Sequence, residues 1–178
     1  MTQESFGHVL ERWHDYYLMV GTAAATLLGL LFVALSFNID ILLHDQRAHL
    51  MDLARQTFHV FITALIVALI ALMPDLPDRI RGVDLAVIGT LLFMPTLRNL
   101  LRIRSQTDRT ISQRVLIART LAPLLASAIL IYGGLCMFRR QGVDTLMTFS
   151  SASLLLLGSG AGSAWDLMVR VAKARRAQ

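Results

Sequence analysis

Asp45, His49 and Asp52 stand at positions i, i+4 and i+7, a spacing that sets three metal-ligating side chains on one face of a helix. A solvated helix face carries the same pattern, with Asp52 and Arg55 as a local ion pair, and no metal motif is matched. No metal site is therefore assigned. Ser159 and Ser163, in a glycine-rich stretch, raise the question of intramembrane proteolysis. A serine nucleophile needs a base within hydrogen-bond reach, and the only histidine in an apolar run is His59, at the edge of a different one. An aspartyl mechanism needs two carboxylates in one site, whereas Asp166 is the only acid well inside an apolar segment. The chain's two glutamates, Glu4 and Glu11, lie near its start, and the zinc-protease pattern HExxH is absent. These residues point away from an enzyme, and no cofactor signature is present.

Two polar groups remain unexplained by that reading. Arg98 and Asp166 each fall near the end of an apolar run, where a charge is costly unless it is paired or reaches the headgroups. Arg98 either extends to the interface as an anchor or pairs with Asp166 across two helices; Asp166 could equally meet Arg170 one turn along its own helix. Thr22, Thr26 and Ser36 lie in the first apolar run. They either line a narrow polar path or donate to carbonyls of their own helix.

The elements that must position these groups are apolar runs of membrane length. Residues 17–37, YLMVGTAAATLLGLLFVALSF, contain no charge, enough for a helix to cross a hydrocarbon core of ~30 Å. Gly21, Ala25 and Gly29 recur every fourth residue there, so a helix carries them on one face and a second helix can approach closely. Further runs cover 58–74, 83–103, 121–138 and 143–169, which predicts an all-α polytopic bundle of five spans forming one membrane domain. The short second run keeps a four-span alternative open. Between the first two spans, Leu43, Leu50, Leu53 and Ala54 have near-helical spacing, and an amphipathic helix there either lies on the membrane surface or lengthens the second span. Pro95 is expected to kink the third span just before Arg98. Pro123 is read as lying in the first turn of the fourth, where a missing donor costs little. In the fifth span Gly158 and Gly162 repeat the small-residue face of the first.

Composition agrees. Of 178 residues, 55% are hydrophobic and 16% charged, against a charged share of ~25% in soluble domains. Loops 38–57 and 98–119 and the tail hold most of the Lys and Arg; the other side has only Arg12, Arg79, Arg81, Arg139 and Arg140. By the positive-inside rule the N-terminus is outside and the C-terminus cytoplasmic. The excess of basic residues is then explained by topology and by attraction to anionic headgroups, so lipids are the expected partners. Arg102, Arg104, Arg109, Arg114 and Arg119 lack interleaved aromatics for base stacking, so nucleic acid is not an expected partner. Trp13, Tyr16 and Tyr17 suit the headgroup level at the outer end of the first span. Cys136 is the single cysteine, which excludes an internal disulfide.

Trp13, Tyr16 and Tyr17 followed by GTAAATLLGLLFVALSF, Gly21 to Phe37, resemble the opening span of a family of small bacterial multi-span membrane proteins, alanine-rich, then GLLFVA, then Ser. Some members are loosely labelled modulators of a membrane-embedded AAA protease. The resemblance covers about the first 25 residues around that span. It implies a bacterial inner-membrane location and carries no site residues. Two functions are expected. The first is a non-enzymatic homo-oligomer, with a small channel or pore as the activity such an assembly could provide. The alternative is an accessory protein that binds a larger membrane partner such as a protease. Inverted repeats and a proton relay, which a secondary transporter would want, are not visible.

Overall fold

The computed structural model describes residues 3–42, 48–73, 77–105, 113–139 and 144–176. These form α1 (Gln3–Phe37), α2 (Ile39–Leu42), α3 (Ala48–Leu72), α4 (Asp78–Ser105), α5 (Gln113–Phe138) and α6 (Asp144–Arg176), with no strand among the described residues. All but the single-turn α2 are long and apolar enough to cross a membrane, through Trp13–Phe37, Leu50–Leu72, Arg79–Arg98, Thr120–Phe138 and Met147–Arg175. The chain is an all-α multi-pass membrane protein. A helix is the only open-ended element that satisfies every backbone donor and acceptor within itself, as lipid requires. The 35 residues of α1, at about 1.5 Å each, extend roughly 50 Å, well past the ~30 Å hydrocarbon core.

The bounds of the second, third and fifth spans and the place of Pro123 differ from the sequence reading. From Ala48 on, the amphipathic stretch lengthens the second span, one of the two readings of it; Leu43 lies outside the described residues. Helix α3 is continuous from Ala48, because Leu50, Leu53 and Ala54 are buried in the bundle. With a full-length second span, the four-span alternative falls away. The third span opens at Arg79 and closes at Arg98, and α4 runs through an exposed Pro95 without a break in the helix. Pro123 does not occupy a first turn. Helix α5 begins at Gln113, so the proline is interior and buried and deprives the helix of one backbone bond. The fifth span covers Met147–Arg175 instead of 143–169.

Helix α3 sits centrally, packed against α1, α4 and α6, while α5 packs between α4 and α6. Two apolar cores result. One, toward the end of the bundle that holds Trp13, gathers Tyr17, Val20, Ala24, Val67, Leu85 and Leu156; the other, toward the Arg175 end, gathers Leu31, Leu50, Phe61, Leu167 and Val171. In lipid these contacts stabilise through close packing, since hydrocarbon outside is as apolar as the interior.

The closest pairing is α4 on α5, and glycine permits it. A Cβ placed on Gly82 would lie 2.7 Å from the carbonyl oxygen of Gly134 and 3.0 Å from Met137 Cβ. One on Gly89 would lie 3.0 Å from Leu130 Cβ and from the Ser127 carbonyl oxygen. Gly133 in turn receives the ring of Phe149, whose Cε1 would stand 2.8 Å from an added Cβ.

Candidate functional site

At the Trp13 end an aromatic group fixes α1 against its neighbours. Tyr16 meets Trp13 edge-on at 5.8 Å and Tyr17 edge-on at 5.1 Å between ring centroids. The Tyr16 hydroxyl donates to the carbonyl of Ser150 at 3.0 Å, joining the start of the first span to the start of α6. Tyr17 is buried. Between the end of α3 and the first turn of α4, Arg81 Nη2 donates to the carbonyl of Met73 at 3.1 Å. This arginine ties the ends of two spans together, a role its position in the sequence did not suggest.

The small residues of α1 divide between two sides of the helix. A Cβ on Gly21 would meet Ala68 Cβ of α3 at 3.3 Å, and Ala24 is fully buried. Ala25 and Gly29 point away from the bundle; both are exposed, and a Cβ on Gly29 would meet nothing within 4 Å. Thr22, Thr26 and Ser36 share that outward side. Their hydroxyls donate to Leu18, Thr22 and Phe32 carbonyls at 2.8, 2.8 and 2.9 Å, each within α1. Back-bonding of this kind satisfies the hydroxyl proton and makes a threonine or serine tolerable against lipid.

In α6, Gly158 and Gly162 are exposed and a Cβ on either would meet nothing within 4 Å. Gly160 is the glycine that the bundle uses. It lies beneath Phe61 of α3, whose Cε1 would stand 2.6 Å from an added Cβ.

The structure does not bring Arg98 and Asp166 together. Their helices, α4 and α6, are packed on α3 and α5 instead of on each other, and Arg98 is exposed while Asp166 is half-buried. Of the three candidate metal ligands, Asp45 and the side chain of His49 lie outside the described residues, and Asp52 is exposed. Among the described residues no group of three His, Cys, Asp or Glu could hold a metal ion. Ser159 donates to the carbonyl of Leu156 at 3.1 Å, and Ser163 is buried.

A groove of about 590 Å³ lies between α1 and α6 at the Arg175 end. These helices both pack on α3 but only lightly on each other, so they part and leave Phe61 as the floor. Leu27, Leu31 and Leu35 form one wall and Ala161, Trp165 and Met168 the other, with Asn38 and Arg175 at the mouth. A shallower apolar depression of about 450 Å³ lies along α4 and α5, beside Gly82, Ala86 and Phe138. No family model, curated protein or solved structure matches this chain.

Proposed function

We propose that this chain is a non-enzymatic protein of the bacterial inner membrane that assembles as a homo-oligomer through the outward side of α1. The observation that carries the reading is the side's composition. Thr22, Ala25, Thr26, Gly29 and Ser36 lie on it among Leu18, Phe32 and Val33, all exposed, with open space over Gly29. Small residues on a lipid-facing helix let a second helix approach to backbone distance, which is how membrane helices associate without a hydrophobic driving force. A large side chain would serve better if lipid were the only neighbour.

The same side supplies the hydroxyls of Thr22, Thr26 and Ser36, so a pore built from these residues runs between subunits. The interior of one subunit is filled with Tyr17, Ala24, Val67 and Leu156, which favours the intersubunit route. The Ser159 hydroxyl, spent on its own helix, supports a non-catalytic role.

Mass measurement of the detergent-solubilised protein, followed by ion flux across liposomes that contain it alone, tests both parts. A mass of several chains that falls in Ala25→Leu and Gly29→Leu is expected, with membrane insertion unchanged because each variant adds apolar bulk. A single-chain mass for the parent protein overturns the assembly and favours the accessory role at a larger membrane partner. An intact oligomer without flux retains the assembly and removes the pore.

A further inference from the structure

We infer that the groove between α1 and α6 holds one acyl chain of an anionic phospholipid, whose phosphate is bound at Arg175. The groove belongs to two membrane-spanning segments, so the molecules that meet it are lipids. Its length matches one leaflet. From Leu27 to Asn38 along α1, at about 1.5 Å per residue, the wall runs roughly 16 Å, about half of the ~30 Å hydrocarbon core. An acyl chain lying there ends at the bilayer middle near Leu27 and begins at the headgroup level near Asn38 and Arg175.

The chemistry changes along the groove in the same direction. Its walls are leucine, alanine, tryptophan and methionine, and polar groups appear only at the mouth. Asn38 Nδ2 donates to the carbonyl of Ala34 at 2.8 Å and keeps a second N–H and the amide oxygen for a partner. Arg175 is exposed, and a guanidinium pairs with a phosphodiester in a bidentate, charge-assisted geometry. Lys173, also exposed, adds positive charge two residues away on α6. Net negative charge on the headgroup is therefore favoured over a zwitterion.

A lone arginine at a helix end can reach the headgroups without any site. What distinguishes Arg175 is the walled concavity directly beneath it, with the fully buried Phe61 as floor. The depression along α4 and α5 provides the contrast, since no charged side chain lines it to select a headgroup. The groove also lies on the opposite side of α1 from Ala25 and Gly29, so its occupancy and the assembly can fail independently.

The chain has two tryptophans, and Trp165 lines the groove. In Trp13→Phe, reconstituted in phosphatidylcholine vesicles, Trp165 fluorescence reports the occupant through quenching by brominated lipid. Brominated phosphatidylglycerol is expected to quench with about five-fold higher apparent affinity than phosphatidylcholine brominated at the same carbons. Arg175→Gln should remove most of that preference, and Ala161→Phe, which fills the groove from an exposed position, should abolish it. Equal quenching by the two lipids overturns the proposal, as does a preference that survives both substitutions. Trp165 shielded from both quenchers in an oligomer places a second copy of the chain in the groove and also overturns it. Native mass spectrometry of the unsubstituted protein, released from an equimolar lipid mixture, gives an independent measure. One retained phosphatidylglycerol, lost in Arg175→Gln, is expected; retention of both lipids in equal amount overturns the proposal.

Discussion

Gly160 of α6 lies so close beneath Phe61 of α3 that an added Cβ would stand 2.6, 2.9 and 3.1 Å from three atoms of the ring. Phe61 is fully buried. Gly160→Ala should therefore cost about 1–3 kcal/mol as overpacking. Gly158→Ala and Gly162→Ala meet open space and should change stability by no more than about 0.5 kcal/mol, or gain slightly from helix propensity. Thermal unfolding in detergent compares the three. Equal losses at all three positions would remove the Phe61 contact as the cause.

That contrast shows how far the sequence can be read. Apolar runs with few or no charges identify five membrane-length helices, because burying an ionised side chain in hydrocarbon is costly whatever the neighbours are. Glycines four apart identify a face of a helix, but not what lies opposite it. Gly158 and Gly162 face outward, while Gly160, two residues from each and rotated by more than half a turn, faces α3. Likewise Gly82 lies just before the apolar run 83–103, although the helix has begun at Asp78 and Gly82, Ala86 and Gly89 form one face. The signal for the α4–α5 contact was present in that spacing. Arg98 and Asp166 fall at span ends in the sequence, but only the order of helices around α3 decides that they have different neighbours.

The α4–α5 contact should be less forgiving than the Phe61 contact. The group nearest a Cβ on Gly82 is a backbone carbonyl, 2.7 Å away, which cannot rotate aside as a side chain can. Gly82→Ala is expected to cost more than Gly160→Ala, toward the upper end of about 1–3 kcal/mol, and Gly82→Leu more still. Loss of cooperative melting in Gly82→Leu, with membrane insertion retained, is the expected readout. A stable Gly82→Leu would mean that α4 and α5 can separate without loss.

Tyr16→Phe keeps the edge-on contacts with Trp13 and Tyr17 and removes only the hydroxyl that donates to Ser150. A loss of about 0.5–1.5 kcal/mol is expected. Limited proteolysis near the starts of the first span and of α6 should rise in parallel. No change in either measurement would show that the hydroxyl exchanges this carbonyl for water at no cost.

Because α4 and α6 are not packed on each other, Arg98→Gln and Asp166→Asn should act independently. The double variant should equal the sum of the single ones within about 0.5 kcal/mol. A double-mutant cycle in thermal unfolding is the measurement. A larger coupling would demand a contact between two helices that α3 and α5 hold apart.

The last expectation concerns direction across the membrane. An odd number of membrane-length helices places the two ends of the chain on opposite sides, and the arginine-rich 98–119 segment and tail favour the cytoplasm for the Arg175 end. Cys136 is the only native cysteine, so Cys136→Ser gives a background in which a single introduced thiol can be followed. In intact cells a membrane-impermeant maleimide should label Thr2→Cys, and should label Gln178→Cys only after permeabilisation. Labelling of both from outside would break the five-span crossing itself. The reverse pattern would preserve the five spans and invert the protein, which would put the Arg175 mouth of the α1–α6 groove in the outer leaflet.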